Sequence, residues 1–357
     1  MAQTAAEPNG RREPAKGPSS ARSLAKRIGL RLASPEDLTL SRRRDGKLFE
    51  YLDADGKQIR DRALIDRLAA MAVPPAYEEV RYAADPAAHL QAIGRDAAGR
   101  LQYRYHPEWQ KVREQRKANR LGRLVEALPK VRRAVGKILA GKDPTRDFTM
   151  AAVIELVART AIRPGGEAYA RLRGTRGATT MLKSNVTIED ACLVLSFRAK
   201  GGKQVRKECN AERLVHAVQV LRKLPGPRLF QYRSDNGEVR NASATQVNEF
   251  LREIAATQIS LKDLRTLLAS AAVVESLARM TPADSARARK RQVLEAVTQA
   301  AEELSNTPAI CRKSYVHDTV VTAFEKGLLE RFASTLKGCR SPAKREQVLA
   351  QVVAAAG

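Results

Sequence analysis

The chain has 357 residues, with 64 Lys and Arg against 39 Asp and Glu, a formal net charge of +25. A hydrophobic fraction of 43% supports folded domains, two by length, and excludes a wholly disordered basic chain. No apolar run approaches the ~18 residues of a membrane span, and the first twenty residues, MAQTAAEPNGRREPAKGPSS, carry no signal-peptide core, so a cytoplasmic, nucleoid-associated protein is expected. Residues 1–30 are rich in Ala, Pro, Gly, Ser and Arg, with six basic against two acidic side chains, and read as a disordered basic tail. Residues 31–107 change to short β-like runs separated by turns. Asp45-Gly46 and Asp55-Gly56 flank LFEYLDA, and Asp96 to Gly99 separates HLQAIG from RLQYRY, as hairpins require. A small, mostly β domain follows from these signals.

From Trp109 the apolar spacing turns helical in WQKVREQRKANRLGRLVEAL, RRAVGKILAG and FTMAAVIELVART. One β island interrupts at about 186–208, where LVLSFRAK and KQVRKEC flank Gly201-Gly202; a two-residue turn is expected, with Lys200 and Lys203 at its shoulders. Helices resume with two capping boxes, Ser243-x-x-Gln246 and Ser260-x-x-Asp263, the second stapled by Ile259 and Leu264. A long helix in DSARARKRQVLEAVTQAAEEL follows, and residues 336–357 read as a C-terminal tail or helix. The fold class is α+β: a small β-rich N-terminal domain (31–107) and a larger, mainly helical domain (108–335) carrying a β hairpin.

A charge of +25 spread along the chain points to a polyanion, and to nucleic acid before a membrane surface. Cys192, Cys209, Cys311 and Cys339 have no CxxC spacing, which disfavours a zinc site or a disulfide framework. The sequence contains no GxxxxGK[ST], no HExxH and no clear acidic cluster for paired magnesium ions. Chemistry on a phosphodiester would then draw its positive charge from Arg and Lys and its nucleophile from a side chain. Arg163, Lys200, Arg265, Asn306 and Tyr315 could supply that set. Singly, each also has a plain structural reading: an arginine at a helix end, a turn lysine, a half-buried tyrosine.

Taken in order, however, the motifs VPPAYEEV, HLQAIGRDAAGRLQYRYHPEW, IRPGGEAYA, FRAKGGK, LKDLRT and NTPAICRKSYVH resemble those of the type IB DNA topoisomerases, in their small poxvirus-like bacterial branch. The resemblance runs from about Leu38 to Phe332. It implies a C-shaped clamp on double-stranded DNA, acting as a monomer without ATP, metal or cofactor. Tyr315 would be the nucleophile forming a 3′-phosphotyrosyl link. Arg163 and Arg265 would hold the non-bridging oxygens, and Lys200 would be the general acid for the leaving 5′-oxygen. Asn306 stands where poxvirus enzymes carry His. Gln102, Tyr103 and Tyr105 match major-groove contacts, and Lys203 and Lys262 are expected to bind DNA as well. Pro164 and Gly166 stand where Val and Asn are expected, and Leu267 where an aromatic often follows the Arg-Thr pair. Two alternatives share the motif chemistry: a tyrosine site-specific recombinase, and an inactive DNA-binding descendant. Against the first, Lys262 stands where recombinases usually carry His.

Overall fold

The computed structural model describes residues 20–46, 48–337, 339 and 341–355. The chain divides into two compact units between Arg116 and Lys117. The disorder expected for residues 1–19 lies outside the described residues, while residues 20–30 correct the rest of that expectation. Ser20 caps a short helix, α1 (Ala21–Arg27), its hydroxyl accepting the Ser23 N–H at 3.1 Å. Leu24, Ala25 and Leu30 are buried with Trp109 and Val112, so apolar packing overrides a tail-like composition.

A five-stranded antiparallel sheet forms the first unit. Its strands are β1 (Leu40–Asp45), β2 (Leu48–Leu52), β3 (Glu78–Tyr82), β4 (Leu90–Arg95) and β5 (Leu101–Tyr105), in the order β2-β1-β3-β4-β5. The turns at Asp45 and at Asp96 to Gly99 join β1 to β2 and β4 to β5, as the sequence suggests. Between β2 and β3 runs a helix absent from the sequence reading, α2 (Arg62–Ala70). Asp61 caps it by accepting from the Ala63 and Leu64 N–H groups. Its Leu68 is buried in a cluster with Leu40, Tyr51, Val80, Tyr82 and Ala92 of the strands.

Helix α3 (Trp109–Ile138) begins where the periodicity changes and continues through Pro129. The Trp109 ring lies 4.3 Å from the His89 ring, both within the first unit. His89 Nδ1 accepts the Ala33 N–H at 3.0 Å and burial lowers its pKa, so it is a neutral structural group.

In the second unit the core surrounds two helices that are buried on nearly every side, α4 (Arg146–Thr160) and α8 (Leu261–Ala278). Such all-round apolarity marks a central helix rather than a surface one. Helices α6 (Glu212–Leu221) and α7 (Ala244–Ala255) pack on α4, while α9 (Ala286–Glu303) and α13 (Pro342–Ala355) pack on α8. Both expected capping boxes form. The Ser243 and Ser260 N–H groups donate to Gln246 Oε1 and Asp263 Oδ2 at 3.0 and 2.9 Å. Helix α13 buries Val348, Leu349 and Val352 in the same core. Its Glu346 receives Arg132 Nη2 at 2.7 and 2.8 Å, an ion pair between α13 and α3.

The β island is a three-stranded sheet of β6 (Val186–Glu189), β7 (Cys192–Arg198) and β8 (Gln204–Cys209) in sequence order. The turn between β7 and β8 is longer than the two residues expected. Ala199 N–H donates to the Lys203 carbonyl at 2.7 Å, enclosing Lys200, Gly201 and Gly202. Both glycines have positive φ, +82° and +77°, so the first makes the turn and the second relieves the extra residue as a bulge. Lys200 therefore sits in the turn itself. The turn between β6 and β7 has Asp190 and Ala191 at φ 46° and 63°, the left-handed pair of a type I′ hairpin with no glycine to ease it. Replacing Ala191 by Gly should stabilise the second unit by about 1 kcal/mol, the size of the left-handed penalty on an exposed non-glycine residue. A urea midpoint shifted upward at unchanged slope is the expected readout.

Candidate active site

The two central helices deliver one arginine each to a single place. Helix α4 ends at Ala161, whose left-handed φ of 54° turns the chain and closes the helix through a bond from its N–H to the Val157 carbonyl at 2.9 Å. Two residues later comes Arg163, half-buried, with its guanidinium donating to the side-chain oxygen of Asn306. The Asn306 backbone is fixed by its N–H on the Ala301 carbonyl at 2.8 Å. Its amide nitrogen is buried and has no hydrogen-bond partner.

Arg265 lies in the second turn of α8 and is only 1% exposed. One Nη contacts the Leu304 carbonyl at 3.4 Å, while Nε and the other Nη are buried without partners. Its guanidinium carbon stands 5.0 Å from the centroid of the Tyr315 ring. Burial lowers the Arg265 pKa; Tyr315 raises it and Arg163 lowers it further. Three buried nitrogens, Arg265 Nε and one Nη and the Asn306 amide, have no hydrogen-bond partner among the described residues and stand beside a second arginine, an arrangement suited to acceptor oxygens. A tetrahedral oxyanion such as a phosphodiester supplies them.

Tyr315 caps helix α10 (Pro308–Ser314), which starts on Thr307 and Pro308. Its N–H donates to the Cys311 carbonyl at 2.9 Å, and its own carbonyl accepts the Ser270 hydroxyl at 2.9 Å. Ser270 was missed by the sequence reading. Its only signal is a hydroxyl in the otherwise apolar run LLASAAVV, one and a half turns beyond Arg265. A single helix thus grips the tyrosine backbone and carries the cation beside its ring. Cys311 is fully buried, and burial pushes its thiol up to about 11, so it stays protonated at neutral pH. His317 caps helix α11 (Asp318–Glu325), its Nδ1 accepting the Thr319 N–H at 3.2 Å.

Lys200 is not gathered into this cluster. Its ammonium lies 5.6 Å from the ring centroid of Tyr169, an exposed residue of α5 (Glu167–Arg173). Lys203 reaches the cluster from the same turn, donating to the Asn306 carbonyl at 3.5 Å. Lys262 is exposed in the first turn of α8. Leu267, where an aromatic is expected, is buried in the core.

In the first unit, Tyr103 and Tyr105 share one face of the edge strand β5 and stack 6.2 Å apart, both over 40% exposed. The stack continues to Trp109 at 6.4 Å. Gln102, between Leu101 and Tyr103 on the same strand, donates to Asp96 Oδ2 at 2.9 Å. The same carboxylate is drawn down to about 2, chiefly by its bond from Arg100.

Residues 106–339 match the family described as the catalytic core of eukaryotic DNA topoisomerase I, and residues 48–96 match the N-terminal domain of bacterial DNA topoisomerase IB. The chain is 27% identical over 291 residues to DNA topoisomerase 1B of Acanthamoeba polyphaga mimivirus, covering 80% of this chain and 87% of that relative.

The unpaired donors of Arg265 are a cost the fold carries. Arg265→Met keeps the side chain's length and apolar stem while removing a buried charge. It should raise the stability of the free protein by about 1–3 kcal/mol, the penalty of unsatisfied buried donors. The check is the thermal midpoint without DNA, where a lower midpoint would show that the guanidinium is satisfied in the free protein.

Proposed function

The chain belongs to the type IB DNA topoisomerases, and we propose that it relaxes supercoiled duplex DNA by cutting one strand through a 3′-phosphotyrosyl link, letting that strand rotate, and rejoining it. In this reading the Tyr315 oxygen attacks the scissile phosphorus as the bond to the 5′-oxygen breaks. Negative charge grows on the two non-bridging oxygens. Arg265, Arg163 and the Asn306 amide are the groups within the cluster that can receive them. A planar guanidinium meets such oxygens with two donors at once, and in a dry site each bond counts for more than in water. The same cations face the developing charge from the side of the Tyr315 ring.

Lys200 serves as the acid for the departing oxygen. Its place in a glycine turn, resting on an exposed ring, lets it move to the DNA when DNA is bound. Because the covalent link conserves the energy of the broken bond, reversal of the same steps reseals the strand without ATP. The two arginines take up the charge that divalent ions neutralise in other phosphoryl-transfer enzymes. The enzyme would act as a monomer on cytoplasmic DNA.

The observation that carries the reading is the buried guanidinium of Arg265, two of whose nitrogens have no hydrogen-bond partner among the described residues, beside the Tyr315 ring. A non-catalytic DNA-binding role would not call for a buried cation in that position. Recombinase chemistry would use the same cluster, but the family matches favour relaxation.

Plasmid relaxation in excess EDTA and without nucleotide tests this directly. The wild type should relax the plasmid, Tyr315→Phe should not, and Arg265→Ala should slow cleavage by about 10²–10³-fold, as loss of one charge-stabilising donor does elsewhere. Relaxation by Tyr315→Phe would exclude Tyr315 as the nucleophile. The charge of +25 also sets an expectation for binding. Affinity for duplex DNA should fall by about 10³-fold or more between roughly 50 and 200 mM salt, as expected for six or more phosphate contacts. A flat salt response in a fluorescence-anisotropy titration would argue against a phosphate-tracking surface.

A further inference from the structure

We infer that Gly177 is a positioning residue for Arg163: the absence of a side chain at 177 lets the backbone that carries this arginine seat against it. The reason lies in space, not in backbone freedom. Gly177 has φ −150° and ψ −173°, extended values open to any residue. A Cβ built there, however, would stand 2.6 Å from the Arg163 carbonyl oxygen and 2.6 Å from both the nitrogen and the Cα of Gly165. All three are backbone atoms, so no side chain can swing aside to make room.

The seat is tightened from the same strip of chain. Ala178 N–H donates to the Arg163 carbonyl at 2.8 Å, and the N–H and hydroxyl of Thr179 donate to the Pro164 carbonyl at 2.8 and 2.9 Å. Gly165, at φ +96°, makes the sharp bend that brings the chain down onto Gly177. A methyl at 177 would push the 163–165 backbone away by the better part of an ångström and carry the guanidinium off Asn306. The inference rests on the topoisomerase reading, in which Arg163 meets a non-bridging phosphate oxygen.

The test is single-turnover formation of the covalent adduct on a duplex that loses its leaving strand. Gly177→Ala should cleave at least about 10²-fold more slowly than wild type, the cost of displacing a reacting group by about 1 Å. DNA affinity, measured in a Tyr315→Phe background, should be unchanged. The same variants are then run on a duplex whose scissile phosphate has one non-bridging oxygen replaced by methyl, in the configuration that restores cleavage by Arg163→Ala. With that charge gone, Gly177→Ala should recover alongside Arg163→Ala. A general structural defect would stay slow on both substrates.

Wild-type rates for Gly177→Ala on the ordinary phosphodiester, or no recovery on the methylated one, would overturn the inference. Should Gly177→Ala fail to fold, Thr179→Val carries the test. It keeps the shape and removes one donor to Pro164, so several-fold slower cleavage with the same recovery is expected, and wild-type cleavage would count against the inference. Absence of any adduct with the wild type would instead overturn the function proposed above.

Discussion

A buried guanidinium, Arg265, is the constraint around which the second unit is organised. Arg265 is 1% exposed, two of its nitrogens have no hydrogen-bond partner among the described residues, and its charged neighbour Arg163 repels it. Such a group resists burial unless the surrounding structure holds it there. That structure is α8, apolar on most of its surface and packed between α4, α9, α11 and α13. The apolar burial that stabilises these helices also holds the Arg265 guanidinium in place. Binding an oxyanion there satisfies donors that are already fixed, so little reorganisation accompanies the growth of negative charge.

The same helix also fixes the geometry of the tyrosine. Arg265 faces the Tyr315 ring, and Ser270, five residues on, holds the Tyr315 carbonyl. One helix therefore carries the cation beside the ring and also a hydroxyl that holds the tyrosine backbone. Arg163 arrives by a different route, from the left-handed cap of α4, and Asn306 links it to the segment leading to α10. Three separate stretches of sequence converge because each is the end, or the interior, of an element in one continuous core.

Much of this was legible in the chain itself, and the reasons for the remainder are physical. The hairpins at Asp45 and Asp96 and the capping boxes at Ser243 and Ser260 are local signals, each satisfied within a few residues, and they form where expected. Arg163, Arg265, Asn306 and Tyr315 were identifiable by motif and stand together. Helix α1 was hidden because its stability comes from Trp109 and Val112, some eighty residues away, rather than from its own composition. The β6–β7 turn was hidden because Asp190 and Ala191 take left-handed angles that glycine would normally signal. The bond from Gln102 to Asp96 joins residues six apart across the β4–β5 turn and has no signal in the residues themselves. Ser270 and Gly177 have meaning only through atoms far along the chain.

Lys200 is the instructive exception to the convergence. A third cation held beside Arg163 and Arg265 in a desolvated pocket would add like-charge repulsion to the burial already imposed on Arg265. The lysine is instead on an exposed glycine turn, over the face of Tyr169, where water and the ring's electron density both accommodate its charge. In the proposed mechanism this division follows from when each charge is needed. The equatorial oxygens of the phosphate are anionic from the moment DNA binds, so the groups meeting them gain by being rigid. The leaving oxygen acquires charge only as its bond breaks, so its proton donor can be kept on a mobile turn and drawn in by the DNA. The turn thus splits its two lysines: Lys203 touches Asn306 at the buried cluster, while Lys200, three residues before it, stays exposed over Tyr169.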